Sequence, residues 1–159
     1  MPDTRLKSVR ATLLLKEDHH RIKELLSKYT SLGPEDIEQK EDLFSMLSAE
    51  LSDHATIEEE IFYPSIAQID QPDAELKTQE AIEEHQIVRG LLDELSELTP
   101  GEIDFEAKMK VLKESVENHA EDEEKILFKL FKKLPREVQD DVSERLRERK
   151  LELGDGFGE

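Results

Sequence analysis

Leu51-Ser52-Asp53-His54-Ala55-Thr56-Ile57-Glu58-Glu59-Glu60-Ile61 carries one helical stripe that is apolar except at His54 and Glu58. Leu47, Leu51, His54, Glu58 and Ile61 follow one another at steps of three and four, so they share a face of a 3.6-residue helix. The face that should hold only aliphatic side chains carries an imidazole and, one turn on, a carboxylate. The same pattern returns downstream. Met109, Leu112, Val116, His119 and Glu123 form a second stripe, continued by Ile126 or Leu127 and by Leu130.

Two further stripes each carry a single imidazole. Leu15, His19, Ile22 and Leu26 form one, and Ala81, His85, Val88, Leu92 and Leu95 the other. His19 lies 35 residues before His54, and His85 lies 34 before His119. Aligning His19 with His85 sets Ile22 on Val88, Leu25 on Leu91 and Leu26 on Leu92. The chain thus carries two hairpins with one chemical pattern, which predicts a pseudo-twofold arrangement.

The breakers frame these stripes. Ser31-Leu32-Gly33-Pro34, Asp70-Gln71-Pro72-Asp73 and Thr99-Pro100-Gly101 separate helices predicted over residues 4–29, 35–67, 73–98 and 103–133. Pro64 is expected to kink or end the second. Pro135 opens a shorter fifth helix to about Leu151, with Val138, Val142 and Leu146 on one face. No segment alternates with period two, so no sheet is expected. The fold predicted is all-α: an antiparallel, up-down-up-down four-helix bundle with a short fifth C-terminal helix. Residues 1–152 read as a single domain and residues 153–159 as a flexible tail.

Composition narrows the function. Of 159 residues, 39% are charged and 5% aromatic, as in long solvated helices. The net charge of -18 opposes a phosphate backbone, which argues against a nucleic-acid partner. With no cysteine, thiolate metal sites and a cysteine nucleophile are excluded. The N-terminus does not read as a signal peptide and no apolar run is long enough to span a bilayer, so a cytoplasmic protein without a membrane partner is expected.

Four imidazoles and two carboxylates facing one apolar interior are costly to bury without compensation. A pair of metal cations compensates them, and nitrogen with carboxylate oxygen suits iron, manganese or zinc. A lone core histidine is ordinarily a satisfied structural residue; what favours a metal is one such histidine on each of four helices, two with an in-register glutamate. His20 falls on the wet face with Lys16, Lys23 and Glu24 and reads as solvated. Glu59, Glu60, Glu121 and Glu124 read as surface charge or as partners of the ligands. Tyr29 and Tyr63 read as packing, with a hydrogen bond near the site open to either. Glu-x-x-His, the signature of ferritin-like di-iron bundles, occurs once, from Glu17 to the off-stripe His20. No His-Glu-x-x-His is present, which excludes a zincin protease.

Taken in order, Lys16-Glu17-Asp18-His19, His54-x-x-x-Glu58 with Glu59, Glu60 and Pro64, Glu84-His85, and His119-x-x-x-Glu123-Glu124 resemble the hemerythrin-like HHE cation-binding family over roughly residues 8 to 133. That resemblance implies a bundle around two iron ions with an oxo or hydroxo bridge. By it the ligands are His19, His54, Glu58, His85, His119 and Glu123, both glutamates bridging. The chain departs from the oxygen carriers of the family, which have a fifth histidine one turn from another on the third helix; Arg89 and Ala81 hold those positions here. The four-histidine, two-glutamate set looks more like the iron-centre repair proteins, whose cysteine-containing extension has no counterpart in this sequence. The function implied is binding of, or reaction with, a small ligand: dioxygen, peroxide or nitric oxide. The alternative is an iron or oxygen sensor that signals to a protein partner through the fifth helix and the acidic surface. A plain structural bundle is the third reading.

Overall fold

The computed structural model describes the backbone of residues 4–155 and the side chains of residues 11–154. Among them there is no strand; the chain is helical almost throughout. Helix α1 is Thr4–Ser31. Helix α2 covers residues 37–67 as three consecutive pieces, Ile37–Ile57, a π-helical turn Glu58–Phe62, and Tyr63–Ala67. Helix α3 is Ala74–Ser96. Helix α4 covers residues 103–131: Ile103–Asp122, a second π-helical turn Glu123–Leu127, and Phe128–Phe131. Helix α5 is Arg136–Asp155.

The stops fall where the breakers predict them. At the α3–α4 turn Gly101 has φ of 98°, a conformation that a β-carbon disfavours, and its N–H donates to the Glu106 carboxylate at 2.9 Å. Pro64 does not end α2. It lies in the first turn of Tyr63–Ala67, and the wider π turn just before it takes up the mismatch a proline brings to an α-helix. Helix α5 is longer than expected: it runs through Gly154 to Asp155, where a tail was predicted, and the rest of that tail, residues 156–159, lies outside the described residues.

Helix α1 packs on α2 and α5, α3 packs on α4 and on the end of α2, and the π turns of α2 and α4 lie against α5 and α3, respectively. Two apolar clusters result. One gathers Leu15, Ile57, Phe62, Ile66, Phe128 and Phe131 with Val142 and Leu146 of α5. The other gathers Ile22, Leu26, Leu47, Leu92, Leu95, Phe105 and Leu112. Val142 and Leu146 thus bury the α5 face read from the sequence, and Val138 packs at its edge. Ser143 of α5 accepts the Ala11 N–H at 3.0 Å, which ties α5 to α1. A buried polar layer of His19, His54, Glu58, His85, His119 and Glu123 contributes donors that neither cluster could tolerate unpaired.

The π turns change the side-chain register. In each, an N–H bonds the carbonyl five residues back, Tyr63 to Glu58 and Phe128 to Glu123. One extra residue per turn rotates everything downstream. The α4 stripe therefore continues through Leu127, Phe128 and Phe131, while Ile126 is 36% exposed and Leu130 only borders the cluster. In α2 the same rotation buries Phe62 and turns Tyr63 toward Glu58.

Candidate metal centre

All six residues singled out in the sequence converge. Two groups of donor atoms lie close enough to share an ion: His19, His54, Glu58 and Glu123 in one, and Glu58, His85 and His119 in the other. Glu58 belongs to both. His19 Nε2 is 3.0 Å from Glu123 Oε1, and His54 Nε2 is 3.1 Å from Glu58 Oε2. His85 Nε2 is 3.1 Å from Glu58 Oε1 and 3.1 Å from His119 Nε2, which lies 3.5 Å from Glu123 Oε2.

Protons on the outer ring nitrogens explain why these contacts call for a second proton or a metal ion on the inner side. Every one of the four imidazoles turns Nδ1 onto a carboxylate. His54 meets Asp18 at 2.8 Å, His85 meets Glu59 at 2.6 Å, His119 meets Glu84 at 2.5 Å and His19 meets Glu124 at 2.7 Å. An ionised carboxylate only accepts, so Nδ1 donates and, in the neutral ring, the Nε2 lone pair points inward. There it faces carboxylate oxygens and another Nε2, acceptor against acceptor. Accordingly His19 Nε2, His54 Nε2, Glu58 Oε2 and Glu123 Oε1 are buried with no hydrogen-bond partner. Imidazole nitrogens with fixed tautomers and converging carboxylate oxygens are a donor set that suits a bound metal cation.

The bracing carboxylates close a ring around the four helices. Asp18 of α1 holds His54 of α2, Glu59 of α2 holds His85 of α3, Glu84 of α3 holds His119 of α4, and Glu124 of α4 holds His19 of α1. Each brace is the immediate sequence neighbour of a site residue, yet it serves a different helix. Adjacent residues on a helix point about 100° apart, so the neighbour of an inward residue aims sideways, at the adjoining helix. The sequence reading allowed Glu59 and Glu124 as partners of the ligands, but it gave Asp18 and Glu84 no role. The signal was the acidic residue directly preceding each of His19 and His85.

Tyr63 is the second addition. Its hydroxyl donates to Glu58 Oε1 at 3.0 Å and contacts Glu123 Oε2, and it lies 3.3 Å from Nε2 of both His85 and His119. Burial, reinforced by the charges of Glu123 and Glu58, pushes its phenol well above the ordinary tyrosine range, so it stays protonated. Tyr63→Phe should therefore destabilise the metal-free protein by about 1–3 kcal/mol, since two buried carboxylates lose an O–H donor. Urea unfolding of the chelated protein measures this, and an unchanged midpoint would contradict it. Tyr29, in contrast, is away from the centre: it donates to Glu106 at 2.9 Å, beside Lys40. His20 is on the surface, its side chain 76% exposed. Arg89, one turn after His85, reaches Glu59 at 2.9 Å and so backs the carboxylate that holds His85.

Charges within the layer are strongly coupled. Burial lowers the basicity of His119, but hydrogen bonds to Glu123 and Glu84 and the charges of Glu123 and Glu58 outweigh it and raise its pKa to about 10. His54 is likewise raised against its burial, by Glu58, Asp18 and Glu123. Burial opposes the charge of Glu123, yet its close neighbours Glu58, His119 and His19, with the charge of His119, hold it well below the carboxylate range. Asp18 is lowered to about 2: burial raises it, and His54 and Lys150 more than reverse this.

Two approaches reach the layer. An apolar cavity of about 40 Å³ is lined by Ile22, Leu51, Val88 and Val116 together with the four site histidines. A polar cleft of about 120 Å³, lined by Lys77, Glu80, Glu84 and Asp122, reaches His119 and Glu123 between α3 and α4.

The architecture and the layer define an all-helical protein with a buried histidine–carboxylate cluster able to hold metal cations. The family description "Hemerythrin HHE cation binding domain" matches residues 10–131, and the chain belongs to that family. It is similar to a solved hemerythrin HHE cation binding domain-containing protein from Mycobacterium kansasii, with 27% identity, a TM-score of 0.74, and coverage of 87% of this chain and 83% of that one. It is also 28% identical over 116 residues to a DNA nickase of a Nostoc species, covering 72% of this chain but only 31% of the nickase. No helix among the described residues is long and apolar enough to cross a membrane.

Proposed function

We propose that this chain is a non-haem di-iron protein that binds or reacts with a small ligand, dioxygen, peroxide or nitric oxide, within an antiparallel up-down-up-down four-helix bundle. The ligands proposed are His19, His54, Glu58 and Glu123 for one ion, and Glu58, His85 and His119 for the other, with Glu123 close to His119. The observation that carries this reading is the ring of four Nδ1–carboxylate bonds, which aims four Nε2 lone pairs at two buried carboxylates. When bound, the iron pair supplies electrons and open coordination positions to a small molecule.

The chain's own residues supply the rest. Asp18, Glu59, Glu84 and Glu124 fix the tautomers and make the imidazoles stronger donors. Tyr63 holds a proton beside Glu58, Glu123, His85 and His119. The cavity edged by Ile22, Leu51, Val88 and Val116 excludes large and charged molecules. Its about 40 Å³ exceeds the roughly 10–15 Å³ that one water needs, so a diatomic fits. The absence of a fifth histidine, with Arg89 directed to Glu59 instead, favours reaction over carriage.

The nickase likeness does not bring DNA to this chain. It covers less than a third of that protein, and a net charge of -18 opposes a phosphate backbone. Elemental analysis of freshly purified protein should find about two iron ions per chain, and stopped-flow mixing of the reduced protein should change its spectrum with at least one of the three ligands. Iron-replete protein without iron would sink the proposal.

A further inference from the structure

Asp18 differs from the other three bracing carboxylates. It is almost fully buried, at 2% exposure, whereas Glu59, Glu124 and Glu84 have side chains 23%, 32% and 44% exposed. It also has more partners. Oδ2 takes the His54 Nδ1–H, while Oδ1 contacts Arg21 of α1 and the ammonium of Lys150 on α5. Lys150 lies 132 residues away in sequence and reaches Asp18 because Val142, Leu146 and Ser143 seat α5 on α1. The preceding residue, Arg149, forks onto Glu60 at 2.9 and 3.4 Å, next to Glu59. The last turns of α5 thus grip the site's support at Asp18 and beside Glu59. Helix α5 lies outside the residues 10–131 that the family description covers.

We infer that Lys150 is a positioning residue that couples docking of the C-terminal helix to the metal position served by His54. It neutralises the buried Oδ1 and holds the Asp18 carboxylate in the plane where Oδ2 meets His54. Without the ammonium, Asp18 turns toward Arg21 and the surface, and His54 loses its fixed tautomer. His85, His119 and their braces have no contact with Lys150, so the second position is spared. The coupling is reciprocal: a metal that requires an oriented His54 also favours docked α5. The inference rests on the di-iron reading above.

The test is anaerobic ferrous titration of the full chain, with hydrogen exchange of α5 followed with and without iron. Lys150→Ala should weaken one of two binding steps about tenfold and leave the other within about twofold, the usual scale for losing a ligand's supporting partner. Lys150→Arg should restore most of that loss. Arg147→Ala removes an exposed α5 pair with Glu144 and should change neither step. Iron should slow exchange in α5 of the wild type and not of Lys150→Ala. Equal titrations for wild type and Lys150→Ala overturn the inference and leave the di-iron reading intact. Equal weakening of both steps, or the same loss in Arg147→Ala, overturns it as general loosening of α5. A wild-type chain that takes up no iron overturns both.

Discussion

Glu58→Ala should strip iron from both positions at once, lowering the metal content from about two ions per chain by more than about tenfold. The reason is connectivity. Glu58 is the one residue present in both donor groups, its Oε2 at 3.1 Å from His54 Nε2 and its Oε1 at 3.1 Å from His85 Nε2. Alanine removes both oxygens and leaves Glu123, 3.0 Å from His19 Nε2 and 3.5 Å from His119 Nε2, as the one site carboxylate among the four imidazoles. His85→Ala touches only the second group and should leave roughly one ion per chain, held by His19, His54, Glu58 and Glu123. Elemental analysis of both variants, with circular dichroism to show that the helices persist, decides the matter. Glu58→Ala with wild-type iron would mean that these residues do not ligate. An ion count that falls equally in both variants would mean that the two positions fill only together.

The second large effect is a pH dependence that the metal should abolish. In the metal-free protein His119 is raised from an ordinary 6.5 to about 10. A raised histidine stabilises the folded state fully below its unfolded pKa and loses that contribution as pH climbs through the folded value. The window is therefore pH 6.5 to 10, and by pH 9 about 3 kcal/mol of the contribution has gone. For a chain of this size the melting temperature of chelated protein should fall by roughly 6–12 °C between pH 6.5 and 9. His54 is raised as well and works in the same direction. Metal replaces these protons, so uptake at neutral pH should release about two protons per chain, measurable in weak buffer, and apparent affinity should rise with pH. A chelated protein whose melting is flat across this window would show that neither imidazole is protonated in the folded state.

Much of the site was legible because helical periodicity is a local property. Spacing alone put His19, His54, Glu58, His85, His119 and Glu123 on apolar faces, and the structure brings all six into one buried layer. His20 was separated from His19 on the same ground and is exposed. The turns at Gly33-Pro34, Pro72 and Pro100-Gly101 were readable because proline and glycine act on their own backbone.

What escaped the sequence depends on register and on neighbours far away in the chain. A π turn adds one residue to one turn, and nothing in Glu58-Glu59-Glu60-Ile61-Phe62 or Glu123-Glu124-Lys125-Ile126-Leu127 announces it. Both turns begin at a site glutamate, where the helix gains room to place that carboxylate and the residue five positions on. The stripe drawn through Leu130 accordingly passes through Phe128 and Phe131, and Tyr63 arrives beside Glu58 rather than in plain packing.

By itself, then, the sequence determined which residues face inward, because side-chain direction along a helix follows from 3.6 residues per turn. Only the tertiary structure decided which helix each carboxylate serves: Asp18 braces His54, Glu84 braces His119, and Lys150 reaches Asp18 from the end of α5. Those pairings join residues 35 to 132 positions apart. They arise from how whole helices seat against one another, an outcome of packing area and shape that no local spacing encodes.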